Sequence, residues 1–266
     1  MDSSFDPFVD PLPHEVPLPN APLERVIAQV RFPQVLSISK REFVASFQEA
    51  IREQYPVLQV EQTQEVMFGP QGTMPTPPQV IWRLLAADEK WRVSLALDFL
   101  AIETTSYESR TDFLNRFSCV LAALETHVRP KIMQRLGMRY IDRVSGEPFT
   151  EIRRLVRSEV LGVSAAPAGQ HARSALCEAV FWIPDSPVRL LARWGILPPN
   201  ATVDPSAVLP LEGPSWLLDL DAFSAEPRPF TPSSVLSEAR TLAERTYAFF
   251  RWAVEDEFLR TYGGNA

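Results

Sequence analysis

Arginines lie on one face of each of two segments that have the pattern of β-strands, where their side chains could bind an anion or a neighbouring acid. In the central segment 135–144, Arg139 and Arg143 fall on the same side of a two-residue period. Arg31 has the corresponding position in the segment 24–32. Guanidinium groups hold carboxylates and phosphates through paired hydrogen bonds, so these arginines could recognise an acidic ligand or an acidic segment of a partner.

Three aspartates lie on or beside predicted strands that could neighbour the arginines: Asp98, Asp219 and Asp221. The candidate ligand- or partner-binding residues are Arg31, Arg139, Arg143, Asp219 and Asp221. The other interpretation of this set is an internal arginine–aspartate network that holds the two halves of the chain in register. A third hypothesis is a metal-dependent hydrolase, because Asp219 and Asp221 share a sheet face and could bind a divalent cation, with Glu103 as a further carboxylate.

Other catalytic arrangements find little support in the sequence. The three histidines are spread over the N-terminal arm, a helix end and a loop, which does not suit a histidine-centred triad or metal site. The phosphate-binding patterns GxxxxGK and GxGxxG do not occur. We therefore predict no catalytic residue, no metal ligand and no cofactor, and regard a non-enzymatic protein as the better hypothesis.

The elements that position these side chains follow from hydrophobic periodicity. Strands are predicted over 24–32, 57–68, 80–87, 91–97, 99–105, 135–144, 172–183, 188–197 and 216–223. Helices are predicted from a cap at Ser39 to Pro56, from Thr111 or Asp112 to near Pro130, over 150–160, and from Thr231-Pro232 to the end of the chain. Loops rich in proline or glycine separate them at 69–78 and 198–214.

The order of elements is the same in both halves: a strand, a helix, several antiparallel strands and a long helix. The local sequence also matches, since Gln29-Val-Arg-Phe32 corresponds to Gly137-Met-Arg-Tyr140. The predicted fold is α+β, with two degenerate β-α-β(3–4)-α repeats whose antiparallel sheets are covered by helices on one side. This order resembles the saddle-like double repeat of the TATA-box-binding protein, although a shared fold does not transfer function.

Three parts of the chain follow from this duplication. Residues 1–20 form a Pro-rich extended arm, 21–130 the first α+β repeat and 131–266 the second, which packs with the first as one globular unit.

Five tryptophans lie on strand patterns, where they either fill the core or form an exposed aromatic surface: Trp82, Trp91, Trp182, Trp194 and Trp216.

Composition limits the classes of function. The formal net charge of -7 disfavours coating of duplex nucleic acid, which needs a surplus of basic residues. The two cysteines, Cys119 and Cys177, indicate no disulfide framework and are expected to be buried. No apolar run is long enough for a membrane span and the N-terminus does not have a secretory pattern, so we expect a cytoplasmic protein without membrane contact. The bias toward Arg, Ala and Pro suggests a GC-rich bacterium.

Three segments resemble a sporadically distributed, uncharacterised bacterial protein family. They are Asn20-Ala-Pro-Leu-Glu-Arg-Val-Ile-Ala-Gln-Val-Arg-Phe-Pro33, Asp98-Phe-Leu-Ala-Ile-Glu-Thr-Thr-Ser-Tyr107 and Leu136-Gly-Met-Arg-Tyr-Ile-Asp-Arg143. The resembled signature, NAPLxExxxxVRFP followed by LGxRYI(N/D)R, usually has Asn where this chain has Asp142. The resemblance implies a fold and domain limits that run nearly end to end, and it implies no chemistry.

The function that this sequence favours is binding or regulation without catalysis. A protein partner would engage a curved sheet face or the Pro-rich loops, and the sequence identifies neither the partner nor the oligomeric state. The alternatives are nucleic-acid binding on the arginine-bearing sheet face and the metal-dependent hydrolase that would use Asp219 and Asp221.

Overall fold

The computed structural model describes residues 5–63, 66–69, 72–75 and 79–265, with side chains described outside 63–78. The strands are β1 (Leu23–Arg31), β2 (Val57–Thr63), β3 (Val66–Gly69), β4 (Gly72–Pro75), β5 (Gln79–Leu85), β6 (Trp91–Leu95), β7 (Phe99–Thr104), β8 (Ile132–Met133), β9 (Arg135–Ser145), β10 (Ala175–Trp182), β11 (Arg189–Leu197), β12 (Ser215–Ser224) and β13 (Arg228–Pro229). The α-helices are α1 (Arg41–Ile51), α2 (Arg110–His127), α3 (Glu147–Thr150), α4 (Ile152–Leu155), α5 (Ser158–Leu161), α6 (Pro232–Ala253) and α7 (Asp256–Thr261). The fold is mixed α+β with antiparallel strand pairs, which confirms the predicted class at this level.

The chain divides into two compact units. Unit 1 comprises the described parts of Met1–Val26, Gly137–Ser224 and Arg240–Ala266, and unit 2 comprises those of Ile27–Leu136 and Ala225–Ala239. These units are defined by spatial contact, whereas the predicted repeats 21–130 and 131–266 are defined by the order of elements. The division into repeats therefore stays a prediction.

Unit 1 contains four neighbouring strands in the order β10-β11-β12-β9. The pairs β10–β11 and β11–β12 are antiparallel. Helix α6 covers one face, where the ring centroid of Phe249 lies 5.3 Å from that of Phe181 and 6.3 Å from that of Trp194. Because strand side chains alternate between faces, Arg193 of β11 and the directly opposite Asp219 of β12 lie on the other face.

The Pro-rich N-terminal arm packs on the helix face of unit 1. Residues 11–18 form no helix or strand. The backbone N–H of Val16 donates to the Tyr247 hydroxyl over 2.8 Å, and that hydroxyl donates to the carbonyl oxygen of His14 over 3.1 Å. Phe8 contacts both Phe181 and Phe249, with ring centroids 5.1 and 5.9 Å apart. These contacts hold the described part of the arm beside α6.

Unit 2 contains β1 from Ile27 onward and four further strands, in the order β1-β7-β6-β5-β2. The register is antiparallel from β7 to β2. Helix α2 packs on this sheet through Phe113, whose ring centroid lies 5.5 Å from that of Trp91. The indole N–H of Trp82 donates to the carbonyl oxygen of Ile38 over 2.8 Å. Of the predicted loop 69–78, only the backbone of Gly69 and of Gly72–Pro75 lies within the described residues.

A side-chain cap begins α6 and α2 but not α1. Thr231 caps α6 as predicted, because its hydroxyl accepts from the Ser234 N–H over 3.3 Å. Ser109 caps α2 by accepting from the Asp112 N–H over 3.1 Å, two or three residues before the predicted start. Ser39 does not cap α1: the N-cap is Lys40, without a side-chain bond. The Ser39 hydroxyl instead donates to the carbonyl oxygen of Leu36 within a preceding 3₁₀ turn.

Two helix predictions are wrong, because both the segment 150–160 and the final helix that starts at Thr231-Pro232 are interrupted. Residues 150–160 do not form one helix, because the stretch is divided among α3, α4 and α5. Val156 adopts an extended backbone and forms an isolated antiparallel bridge with Val254, which also coincides with the break between α6 and α7. This tertiary pairing overrides the helical periodicity of both segments.

The burial of the two cysteines differs from expectation, and the tryptophans on strands divide between the two predicted alternatives. Cys119 and Cys177 are exposed rather than buried. Trp182 is exposed, whereas the other tryptophans on strands pack in the core, namely Trp82, Trp91, Trp194 and Trp216. Among the described residues, no helix combines the length and the apolar character that crossing a bilayer requires.

Candidate functional site

The predicted arginine–aspartate pair is present in unit 1. Arg139 on β9 and Asp219 on the neighbouring β12 meet in a fork-to-fork arrangement, with Nε to Oδ1 at 2.7 Å and Nη2 to Oδ2 at 2.8 Å. The remaining Nη1 donates to Asp204 Oδ2 over 2.8 Å. Asp204 belongs to the loop 198–214, so one guanidinium connects two strands and a loop. Such bidentate pairs combine strength with a fixed geometry.

The electrostatics of this group favour the charged forms. Burial by itself would lower the pKa of Arg139, but hydrogen bonds and charge from Asp219 and Asp204 raise that pKa above its ordinary value. Burial would likewise raise the pKa of Asp204, and hydrogen bonds from Ser206 and Arg139 lower it below its ordinary value. Both pKa shifts favour the charged form, so Arg139 and Asp204 stabilise one another as ions inside the protein.

The pair extends across the sheet as an alternating row of charges. Arg193 on β11 lies directly opposite both Asp219 on β12 and Glu178 on β10. Its Nη1 is 3.6 Å from Asp219 Oδ2, and its Nε donates to Glu178 Oε2. We call Arg139, Asp219, Arg193 and Glu178 the charge ladder. The side chain of Asp219 is 4% exposed and that of Glu178 is 57% exposed, so the ladder runs from the interior to an open edge.

Arg143 is fully buried and holds the loop 198–214. Its Nε donates to the Ser215 hydroxyl over 2.9 Å, and its Nη1 donates to the carbonyl oxygen of Leu209. Glu24 Oε2 is 4.0 Å from Nη1, and burial raises the pKa of that carboxyl group. Nη2 has no hydrogen-bond partner among the described residues. Arg143 is therefore a buried side chain that holds the loop 198–214 in place through its hydrogen bond to Leu209.

The other predicted site residues lie elsewhere. Arg31 and Asp98 form an ion pair within unit 2, with Nη1 and Oδ2 3.9 Å apart and the Arg31 side chain 48% exposed. Asp221 lies two residues after Asp219 and opposite Leu191. Both carboxylate oxygens of Asp219 accept from Arg139, so a metal ion there would have to displace a bidentate guanidinium. Within the described part of the chain, no group of three His, Cys, Asp or Glu side chains could hold a metal ion.

An exposed apolar row on β10 is the feature that sequence reasoning missed. Leu176, Val180 and Trp182 are 50%, 53% and 67% exposed and share the face of Glu178. The Arg189 guanidinium stacks on the Trp182 ring at 3.9 Å from its centroid. Among the described residues β10 ends the strand order, so its outer backbone edge has no neighbouring strand. The sequence signal was a run of apolar residues interrupted by Glu178, and such a run does not distinguish an edge strand from a central one.

A second missed feature is the carboxyl group of Asp142. It lies on the face of β9 opposite to Arg139 and Arg143, and it is buried. The described residues provide no hydrogen bond or ion pair to it, and burial raises its pKa to about 7. Burial and, to a smaller extent, the charge of Asp142 raise the pKa of Tyr262 to about 12.

Comparison with known proteins does not assign the chain to a family. No protein-family model matches it, and no curated protein gives a significant match. The candidate site therefore stands on the geometry of unit 1 alone.

Proposed function

We propose that this chain is a non-enzymatic binding protein whose partner adds an extended segment to the edge of β10 and covers its apolar row. The observation that carries the proposal is the exposure of Leu176, Val180 and Trp182 on one face of a terminal strand. Stable monomers usually protect such edges with charges, prolines, bulges or a covering segment. An edge with three large apolar side chains is instead typical of a surface that a partner completes.

Two physical contributions support binding at this edge. The outward N–H and C=O groups of β10 can pair with an added strand, as in other cases of β-strand addition. Burial of apolar surface contributes about 25 cal/mol per Å² removed from water. Trp182 is the expected anchor, because tryptophan is enriched among the residues that dominate binding energy. Its stacking on Arg189 already limits the freedom of the ring before a partner arrives.

The geometry of the same sheet face supports the alternative functions less well. Nucleic-acid binding needs basic groups that reach phosphates, yet Arg139 and Arg143 donate their hydrogen bonds inside unit 1. The net charge of -7 also opposes it. A metal-dependent hydrolase would need Asp219, whose two oxygens accept from Arg139. The loop 198–214 is a less suitable docking element because Arg139 and Arg143 tie it to the sheet.

We infer a duplicated β-α-β(3–4)-α unit similar in topology to the TATA-box-binding protein, with a Pro-rich arm at 1–20 and repeats at 21–130 and 131–266 that pack as one globular unit. In the first half β1 is followed by α1, the strands β2 to β7 and α2, and in the second half β9 is followed by α3–α5, the strands β10 to β13 and α6, which supports it. We likewise propose a cytoplasmic bacterial protein related to the resembled family.

A displayed library of random twelve-residue peptides tests the binding function directly. We expect selection on the wild-type protein to yield binders that lose at least about tenfold in affinity for Val180→Asp, because a carboxylate would be desolvated in the new interface. Val163→Asp is the matched control, since Val163 is 57% exposed in the same unit but lies in a 3₁₀ turn. The proposal is overturned if selection yields no binders or if both variants bind them equally.

A further inference from the structure

The charge ladder ends on the strand that we propose as the docking edge, and this determines what the partner segment must carry. Signs alternate across four neighbouring strands: Arg139 on β9, Asp219 on β12, Arg193 on β11 and Glu178 on β10. Opposite charges directly across a pair of strands stabilise the pairing, and like charges destabilise it. The position beyond Glu178 is therefore suited to a cation.

We propose that the partner segment is an extended strand with an arginine or lysine opposite Glu178 and apolar residues two positions away on either side. This inference rests on the proposed function and specifies the chemistry of its partner. The apolar positions are required by Leu176 and Val180, which flank Glu178 on the same face and are both about half exposed. A segment with the alternation apolar, basic, apolar would cover the row and continue the ladder.

The carboxylate of Glu178 has the capacity for this contact. Its Oε2 accepts from Arg193, and among the described residues it makes no other hydrogen bond or ion pair. More than half of its side chain is open to solvent at the edge of the sheet. A guanidinium or ammonium group on an added strand can reach the exposed side of the carboxylate without displacing Arg193.

Charge complementarity also decides against a second copy of β10 as the occupant. The ladder face of β10 presents Leu176, Glu178, Val180 and Trp182, which include no basic residue. A second β10 in antiparallel pairing would place either an apolar side chain or another carboxylate opposite Glu178. A basic segment of a different protein fits better, and the net charge of -7 would favour its approach.

Three synthetic peptides with alternating valine and threonine, which differ only in a central arginine, glutamine or glutamate, test the inference. Binding is measured by fluorescence anisotropy on the wild-type protein and on Glu178→Lys. For the wild type we expect the arginine peptide to bind about tenfold more tightly than the glutamate peptide, with glutamine between them. For Glu178→Lys we expect the order of the arginine and glutamate peptides to reverse. Thermal unfolding of Glu178→Lys, which is altered at an exposed position, checks that the variant keeps its fold.

The remaining outcomes overturn the inference and are distinguishable from failure of the proposed function. If the three peptides bind wild type and Glu178→Lys in the same order, the ladder does not select the partner. If they bind with equal affinity and Val180→Asp removes binding, the docking edge stands without charge selection. If none binds while the random library yields binders sensitive to Val180→Asp, the partner has another pattern. If that library also yields none, the docking function itself fails.

Discussion

Replacing Arg139 with alanine is expected to lower the free energy of unfolding by about 3–5 kcal/mol, because it removes the bidentate partner of the buried Asp219 carboxylate and leaves only the longer contact to Arg193. Asp219 would lose both hydrogen bonds of the fork, and Asp204 would lose its bond to the same guanidinium. Urea unfolding followed by circular dichroism measures the change. We expect Arg139→Lys to recover only part of the loss, since an ammonium group cannot reproduce the bidentate geometry.

A double-mutant cycle separates a structural network from a site that is held ready for a ligand. Arg139→Ala, Asp219→Ala and the double variant should show a coupling of about 1–3 kcal/mol in the free protein, because the two residues are in direct contact. The matched control is Arg31→Ala, whose ion pair with Asp98 is long and solvent-exposed and should contribute less than about 1 kcal/mol. Equal effects of Arg139→Ala and Arg31→Ala, or additive single changes in the cycle, would contradict a structural role for Arg139.

Asp142→Asn is expected to stabilise the protein at pH 8 by about 2–4 kcal/mol and to have little effect near pH 4. The folded carboxyl group has a pKa of about 7, against an ordinary value of 3.8. Between these values the folded protein binds a proton that the unfolded chain releases. The contribution of Asp142 to stability is therefore fully present below about pH 4, falls as the pH rises to about 7, and stays low above it. Asparagine has no proton to lose and avoids this fall.

The measurement is a series of urea unfolding curves for wild type and Asp142→Asn from pH 4 to pH 8. The control Val163→Thr changes an exposed side chain without altering a titrating group and should run parallel to wild type. Parallel curves for Asp142→Asn and wild type would show that the carboxyl group does not titrate in this range.

Much of the local structure was predictable because local forces decide it. The alternation in 135–144 and 216–223 correctly indicated β9 and β12, since a strand places successive side chains on opposite faces. The pairing of Arg139 with Asp219 was one of the alternatives that this alternation left open. Thr231-Pro232 identified the start of α6, because hydroxyl capping and a proline in the first turn act within a few residues.

The predictions that failed were at positions where distant residues decide the conformation. The helical pattern of 150–160 yields to the bridge between Val156 and Val254, nearly 100 residues apart in sequence. Asp204, which accepts a hydrogen bond from Arg139, belongs to a Pro-rich loop. A loop has no hydrophobic periodicity from which its path could be predicted. Cys177 is exposed because β10 ends the described strand order, and the order of strands is not encoded in the composition of one strand.

Some features of the candidate site depend on the sequence of one strand, and others depend on the tertiary structure. The sequence by itself determined that Leu176, Glu178, Val180 and Trp182 share one face of a strand, because side-chain alternation is a property of the backbone. Only the tertiary structure decided that this strand lies at an edge, that the charge ladder ends at Glu178, and that the row stays uncovered. The reason is physical: burial and charge pairing depend on which strands become neighbours, and that choice results from the packing of the whole unit.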